Sequence, residues 1–231
     1  MPVTFVLLHG AGGTGASWGL VRARLEAVGH RVLAPDLPNH DGVTFADQAD
    51  TVVTLVGDAT PVVLVAQSMG AYPAVLACGR LRSSALVLLD AMVPADGESA
   101  GDWWDATGQP AAQRRADLAA GRDPGAPFDA ETTFLHDVPP EARSVVGGEA
   151  APAGSLFVDA FPLAHWPDVP TTVVVTADDR LFPVAFQQRV SRERLGLEPV
   201  VLPGGHLAAV SQPDAVARVL LDVAEGLRPA G

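Results

Sequence analysis

Val62-Val63-Leu64-Val65-Ala66-Gln67-Ser68-Met69-Gly70 decides how this chain is read. Five apolar residues in succession predict a buried strand, and the polar pair behind them ends it. A serine just past such a strand is commonly the N-cap of the helix that follows. Ser68 admits a second reading, because Ala66 stands two places before it and Gly70 two places after. A strand-to-helix turn that projects a serine hydroxyl folds the backbone tightly and tolerates only small side chains at those two places. Glycine is usual at both, and Ala66 departs by one methyl group. Gln67-Ser68-Met69-Gly70 thus has the form of a nucleophile elbow, to be judged by its partners.

Three further runs supply them. Val3 to Leu8 ends in His9-Gly10-Ala11-Gly12-Gly13, a loop whose glycines can turn backbone N–H groups inward. Thr172 to Thr176 is a β-branched run followed by Ala177-Asp178-Asp179-Arg180-Leu181-Phe182-Pro183, which sets carboxylates just past a strand end. Val200-Val201-Leu202 leads into Pro203-Gly204-Gly205-His206, where glycines let the chain bend and aim an imidazole. Alone, Asp178 and Asp179 read as solvated loop acids and His206 as a helix-start residue. Together they stand in the order Ser, Asp, His, each at the carboxyl end of a strand where open α/β sheets build sites, as in α/β-hydrolases.

The chemistry explains the residue types. Ser68 is a weak nucleophile until His206 takes its proton, and His206 needs a carboxylate to hold its tautomer and stabilise the imidazolium. Attack on an acyl carbon creates an oxyanion, for which the backbone N–H groups of Ala11 and Met69 are the expected donors. The expected catalytic residues are Ser68, His206 and one of the adjacent acids Asp178 and Asp179.

Composition narrows the function classes. The chain has 231 residues, 48% of them hydrophobic, enough for one globular unit with a large core. Its formal charge is −12, from 15 Lys+Arg against 27 Asp+Glu, which disfavours nucleic acid or anionic lipid as a partner. A small neutral substrate suits it better. Every basic side chain counted is arginine, which excludes Schiff-base and P-loop lysine chemistry. Cys78 is the one cysteine and reads as packing in the helix behind the elbow. His9, His30, His40, His136 and His165 show no metal-ligand spacing, so neither a metal nor another cofactor is expected. No stretch approaches the ~18 apolar residues of a membrane span. The N-terminus lacks a basic n-region, so a cytoplasmic protein is expected.

Strands are predicted at 3–8, 31–34, 62–66, 85–89, 172–176 and 198–202, and helices near 16–28, 44–57, 69–80, 184–194 and 207–227. Ser17 and Trp18 open the first helix, and Pro183 is expected at the first position of the fourth. Such alternation predicts a doubly wound, mainly parallel six-stranded α/β sheet with right-handed crossovers. The pattern breaks between Ala91 and about Pro170, which predicts an inserted cap over 91–170 between core segments 1–90 and 171–231. That insert carries Trp103, Trp104, Phe128, Phe134, Phe157, Phe161 and Trp166, so it should be folded. Pro139-Pro140-Glu141 reads as a helix start, and the weak periodicity of 95–127 marks it as the mobile part of the cap.

These stretches also carry a resemblance. Phe5-Val6-Leu7-Leu8-His9-Gly10-Ala11-Gly12, Gly29-His30-Arg31-Val32 through Pro35-Asp36-Leu37, the elbow, Leu88-Leu89-Asp90-Ala91-Met92-Val93-Pro94 and Gly154-Ser155-Leu156-Phe157 resemble the family of plant methylesterases and hydroxynitrile lyases with its bacterial relatives. So do Asp179 with Phe186-Gln187, and His206-Leu207-Ala208-Ala209-Val210-Ser211-Gln212-Pro213. The spacing from Asp179 to Phe186-Gln187 favours Asp179 over Asp178 as the acid. Lyases of this type carry lysine directly after the catalytic histidine and often threonine after the first motif histidine; here those places hold Leu207 and Gly10. The resemblance therefore implies a serine hydrolase that cleaves carboxylic esters of small, largely apolar substrates through an acyl-enzyme. Alternatives on the same scaffold are a hydroxynitrile lyase, a thioesterase, a carbon–carbon hydrolase or a small-molecule-binding protein that keeps the triad. Substrate-binding residues and a homodimer are left open.

Overall fold

The computed structural model describes residues 2–146 and 151–227, so Met1, 147–150 and 228–231, parts of the expected core and cap segments, lie outside the described residues. Six strands form one sheet: β1 (Thr4–Leu8), β2 (Arg31–Leu33), β3 (Val62–Gln67), β4 (Ser83–Leu89), β5 (Thr171–Thr176) and β6 (Val200–Leu202). They lie in the order β2-β1-β3-β4-β5-β6, and every pairing is parallel. From β1 the chain winds outward to β2, then returns past β1 to build β3 and the rest. This reversal between β1 and β3 is a topological switch point. The loops after those two strands lead to opposite faces and leave a crevice at their carboxyl ends.

The helical elements divide accordingly. One face of the sheet carries α2 (Phe45–Val56), α3 (Ala71–Cys78) and α7 (Val184–Leu195); the other carries α1 (Gly19–Ala27), α8 (Ala208–Ser211) and α9 (Pro213–Gly226). Central strands are buried on both sides, and alternate residues go to alternate cores: Val62, Leu64 and Ala66 to the first, Val63 and Val65 to the second. The continuous apolar runs of the sequence follow from this double burial. Thr44 and Asp47 form a capping box at the start of α2, each side chain bonding the other's backbone N–H.

Local proline and glycine chemistry moved several boundaries. The helix expected over 207–227 is two, because Pro213 has no N–H to donate and its ring crowds the preceding turn; Pro213 instead opens α9. Pro183 is the residue before α7 and not its first helical one, since its ψ of 139° is extended. A 3₁₀ turn over Gly15–Trp18 precedes α1. Val200 begins β6 two residues later than expected.

Between β4 and β5 the described residues hold no strand. They form α4 (Trp103–Thr107), α5 (Gln109–Ala119), α6 (Ala130–Thr133) and 3₁₀ turns at Pro140–Val145 and Gly154–Phe157. The stretch 95–127, weakly periodic in sequence, thus contains two helices. Buried Trp103 pins α4 by donating its indole N–H to Val93 O at 3.0 Å and packing against Phe182 and Phe186. Phe161 packs edge-on to Tyr72 in the core, and Arg194 of α7 makes a paired hydrogen bond to Glu98, both contacts 2.7 Å.

Candidate active site

The turn after β3 is as tight as its sequence requires. Ser68 has φ 53°, a left-handed conformation uncommon for a residue with a side chain, and one held only where the surroundings over-determine it. A Cβ on Gly70 would lie 2.5 Å from the carbonyl oxygen of His9, and one on Gly10 would lie 2.5 Å from Gln67 Oε1. Leu8 of β1 pairs with Ala66 of β3, so the His9 loop and the Ser68 turn leave the sheet side by side. Gln67 joins three loops: its Oε1 accepts from Gly10 N at 3.0 Å, and its Nε2 donates to His206 O at 3.2 Å. His9 is an organiser of the first loop. Its Nδ1 donates to Gly10 O at 2.8 Å, and its Nε2 accepts from Leu37 N at 3.0 Å, which requires a neutral ring. Burial lowers its pKa, in keeping with that tautomer.

Asp179 and His206 meet from the loops after β5 and β6. Asp179 Oδ1 accepts the backbone N–H groups of Leu181 and Phe182 at 2.8 and 2.9 Å, and its Oδ2 lies 2.7 Å from His206 Nδ1. Asp178 points elsewhere, its Oδ2 accepting from Gly204 N at 3.3 Å. Gly204, with φ 100°, supplies the bend that brings His206 back toward the sheet. His206 is 3% exposed, its ring stacked on Phe134 and edge-on to Phe182, with ring centroids 5.3 and 5.1 Å away. Burial alone would lower its pKa, but the charge and hydrogen bond of Asp179, then the charge of Asp90, outweigh this and raise it. With Nδ1 donating to the carboxylate, Nε2 of the neutral ring is an acceptor.

Ser68 and His206 line one cavity of about 1250 Å³ together with Ala11, Met69 and the His9 loop. The Ser68 hydroxyl has no hydrogen bond to the ring among the described residues; such bonds are often long before a ligand binds. Trp104, Phe128, Phe134 and Phe157 line the same cavity, whereas Trp103 and Phe161 are core. Sequence alone left those aromatics unsorted. It also missed Gln67, whose position before the serine carries no signal of its own, and Asp90, a fully buried acid after β4. Gln187 was signalled by its spacing from Asp179, and its Nε2 reaches Asp179 Oδ2 at 3.3 Å. Among the described residues no group of three or more His, Cys, Asp or Glu side chains could hold a metal, and no helix is long and apolar enough to cross a membrane.

Comparison with known proteins identifies the family and the fold. The sequence profile of the alpha/beta hydrolase family matches residues 5–219. A pyrethroid hydrolase of Sphingobium wenxiniae is 27% identical over 253 residues, covering 97% of this chain and 89% of that protein. A putative methylesterase of Arabidopsis thaliana is 36% identical over 104 residues, 39% of this chain and 40% of that one. Among solved structures, a pyrethroid hydrolase crystal structure superposes with a TM-score of 0.77 at 22% identity, covering 99% of this chain and 100% of the other.

Proposed function

This chain belongs to the alpha/beta hydrolase family, and from that premise we propose that it hydrolyses carboxylic esters through an acyl-enzyme. One observation carries the reading: the Ser68 turn, the His9 loop and His206, which is paired behind with Asp179, are far apart in sequence yet meet at a single cavity. Relatives named for pyrethroid hydrolysis and as a putative methylesterase support ester chemistry.

In the proposed reaction His206 Nε2 takes the Ser68 proton as Oγ attacks the acyl carbon. Asp179 stays ionised and stabilises the imidazolium. The backbone N–H groups of Ala11 and Met69 receive the oxyanion; one such donor is worth about 3 kcal/mol. His206 then returns the proton to the departing alcohol, and water, activated by the same ring, releases the acid from Ser68. We assign residues 1–90 and 171–231 to the catalytic core and 91–170 to a cap, whose Trp104, Phe128, Phe134 and Phe157 give the cavity a largely apolar wall. The substrate is accordingly a largely apolar ester. Leu207 after the histidine offers no cation to a departing cyanide, which favours hydrolysis over cyanohydrin cleavage.

A fluorophosphonate probe tests the reading. The wild type should label rapidly at Ser68 and the Ser68→Ala variant not at all. A folded wild type that fails to label would refute an activated nucleophile.

A further inference from the structure

Behind the acid and the imidazole lies a second carboxyl group that the reaction does not use. Asp90 directly follows β4 with φ 43°, and no part of it reaches solvent. Its Oδ1 is crowded with donors: Thr176 N at 2.8 Å, the Thr176 hydroxyl at 3.1 Å and Gln187 Nε2 at 3.1 Å. Its Oδ2 is buried with no hydrogen-bond partner. Both donor residues are shared with the triad loops. The one Thr176 hydroxyl proton is shared between Asp90 Oδ1 and Gly205 O, next to His206, at 3.2 Å, and the two protons of Gln187 Nε2 are divided among Asp90, Asp179 Oδ2 and Phe182 O, the last at 2.8 Å. The ionisable groups that face Asp90 are Asp179, from the loop after β5, and His206, from the loop after β6; Thr176 and Gln187 are neutral.

Two carboxyl groups that share one amide in a dry site do not both ionise readily. The donors decide which keeps its charge. Asp179 has two backbone N–H groups on one oxygen and the imidazole on the other, whereas half of Asp90 has none. A buried carboxylate oxygen without a donor is costly, and a proton there removes the charge that makes up most of that cost.

We propose that Asp90 is a positioning residue that carries a proton on Oδ2 while Asp179 stays ionised, so that losing that proton sets the basicity of His206. Burial first, and then repulsion from Asp179, push its carboxyl up to about 7, in agreement with the geometry. While Asp90 is neutral, only Asp179 holds the imidazolium. Once ionised, Asp90 adds a second negative charge that raises the basicity of the ring and makes it slower to return its proton to the leaving alcohol. This effect on catalysis rests on reading His206 as the general base; the protonation of Asp90 does not.

The two parts are therefore tested separately. Asp90→Asn keeps the shape and places an amide where the proton sat. A carboxyl group whose pKa is raised by folding loses stability as pH climbs from its unfolded value toward the folded one. The melting temperature of Asp90→Asn relative to wild type should therefore rise by at least ~3 °C between pH 5 and pH 9. A difference that stays flat over that range overturns the protonation. Infrared titration of the wild type reads the same group directly, even if the variant does not fold. A buried carboxylic-acid C=O band should be present at pH 5 and fade through about pH 7; its absence at pH 5 also overturns the proposal. For catalysis, the acid limb of kcat/KM in Asp90→Asn should move to lower pH by about half a unit, because the second charge can no longer form. An unmoved limb beside a positive melting result removes the link to His206.

Discussion

Asp178 and Asp179 are identical in chemistry and adjacent in sequence, and only their surroundings separate them. Asp179 contacts His206 Nδ1 at 2.7 Å, while Asp178 steadies Gly204 one loop turn away. Asp179→Asn removes the charge that faces the imidazolium and reverses the tautomer preference, so kcat should fall about 10³- to 10⁴-fold. Asp178→Asn should cost less than about tenfold, since a backbone N–H remains bonded by the amide oxygen. Parallel steady-state kinetics decide between them, and the opposite ranking would reassign the acid. The imidazole sets the pH dependence. His206 must be neutral to accept a proton, and its pKa is raised, so kcat/KM should fall as pH drops, with a midpoint above the unperturbed value of roughly 6.5. A profile flat from pH 8 to pH 5 would exclude this base.

At the scale of elements, β1, β3, β5 and β6 each deliver one loop to the site, and the last residue of β3 ties the first and the last of these to its own. Gln67→Ala would leave Gly10 N and His206 O without their partner and loosen the His9 loop and the histidine loop at once. The expected cost is about 1–3 kcal/mol, seen both as a lower melting temperature and as a drop in kcat/KM of about tenfold or more. Unchanged kcat/KM would show that the loops hold their places independently. The α2 capping box predicts a purely structural contrast. Thr44→Ala should cost about 1 kcal/mol, or roughly 2–4 °C, with the ester kinetics intact at 25 °C. The elements themselves were legible because strands buried on both faces read as unbroken apolar runs, as in Val62 to Ala66. Boundaries at Pro183 and Pro213 were not, because a proline suits a helix's first turn and the position before it alike.

Over the whole molecule, the segment between β4 and β5 supplies Trp104, Phe128, Phe134 and Phe157 to the wall of the cavity beside Ser68. Its aromatic wall should reward longer acyl chains. Each methylene buried is worth about 0.8 kcal/mol, so kcat/KM for p-nitrophenyl esters should climb about fourfold per carbon until the chain meets the far wall. A flat response from acetate to octanoate would mean that the acyl group does not enter the aromatic lobe. The sequence placed these aromatics in one insert but did not sort wall from core. Trp103 and Trp104 are neighbours of one type, yet one is wholly buried against Phe182 and Phe186 and the other lines the cavity. Which way each faces depends on helix rotation set by contacts distant in the chain.

What the sequence determined alone was the sheet and the loops that leave it, because apolar runs, small residues beside Ser68 and glycines before His206 act through local backbone sterics. What only the tertiary structure decided was every relation across loops: the pairing of His206 with Asp179, the three-way bridge at Gln67, the stacking of Phe134 on the imidazole and the dry carboxyl of Asp90. Those relations depend on distance and desolvation between groups far apart in the chain, and no local pattern of residue types encodes either quantity.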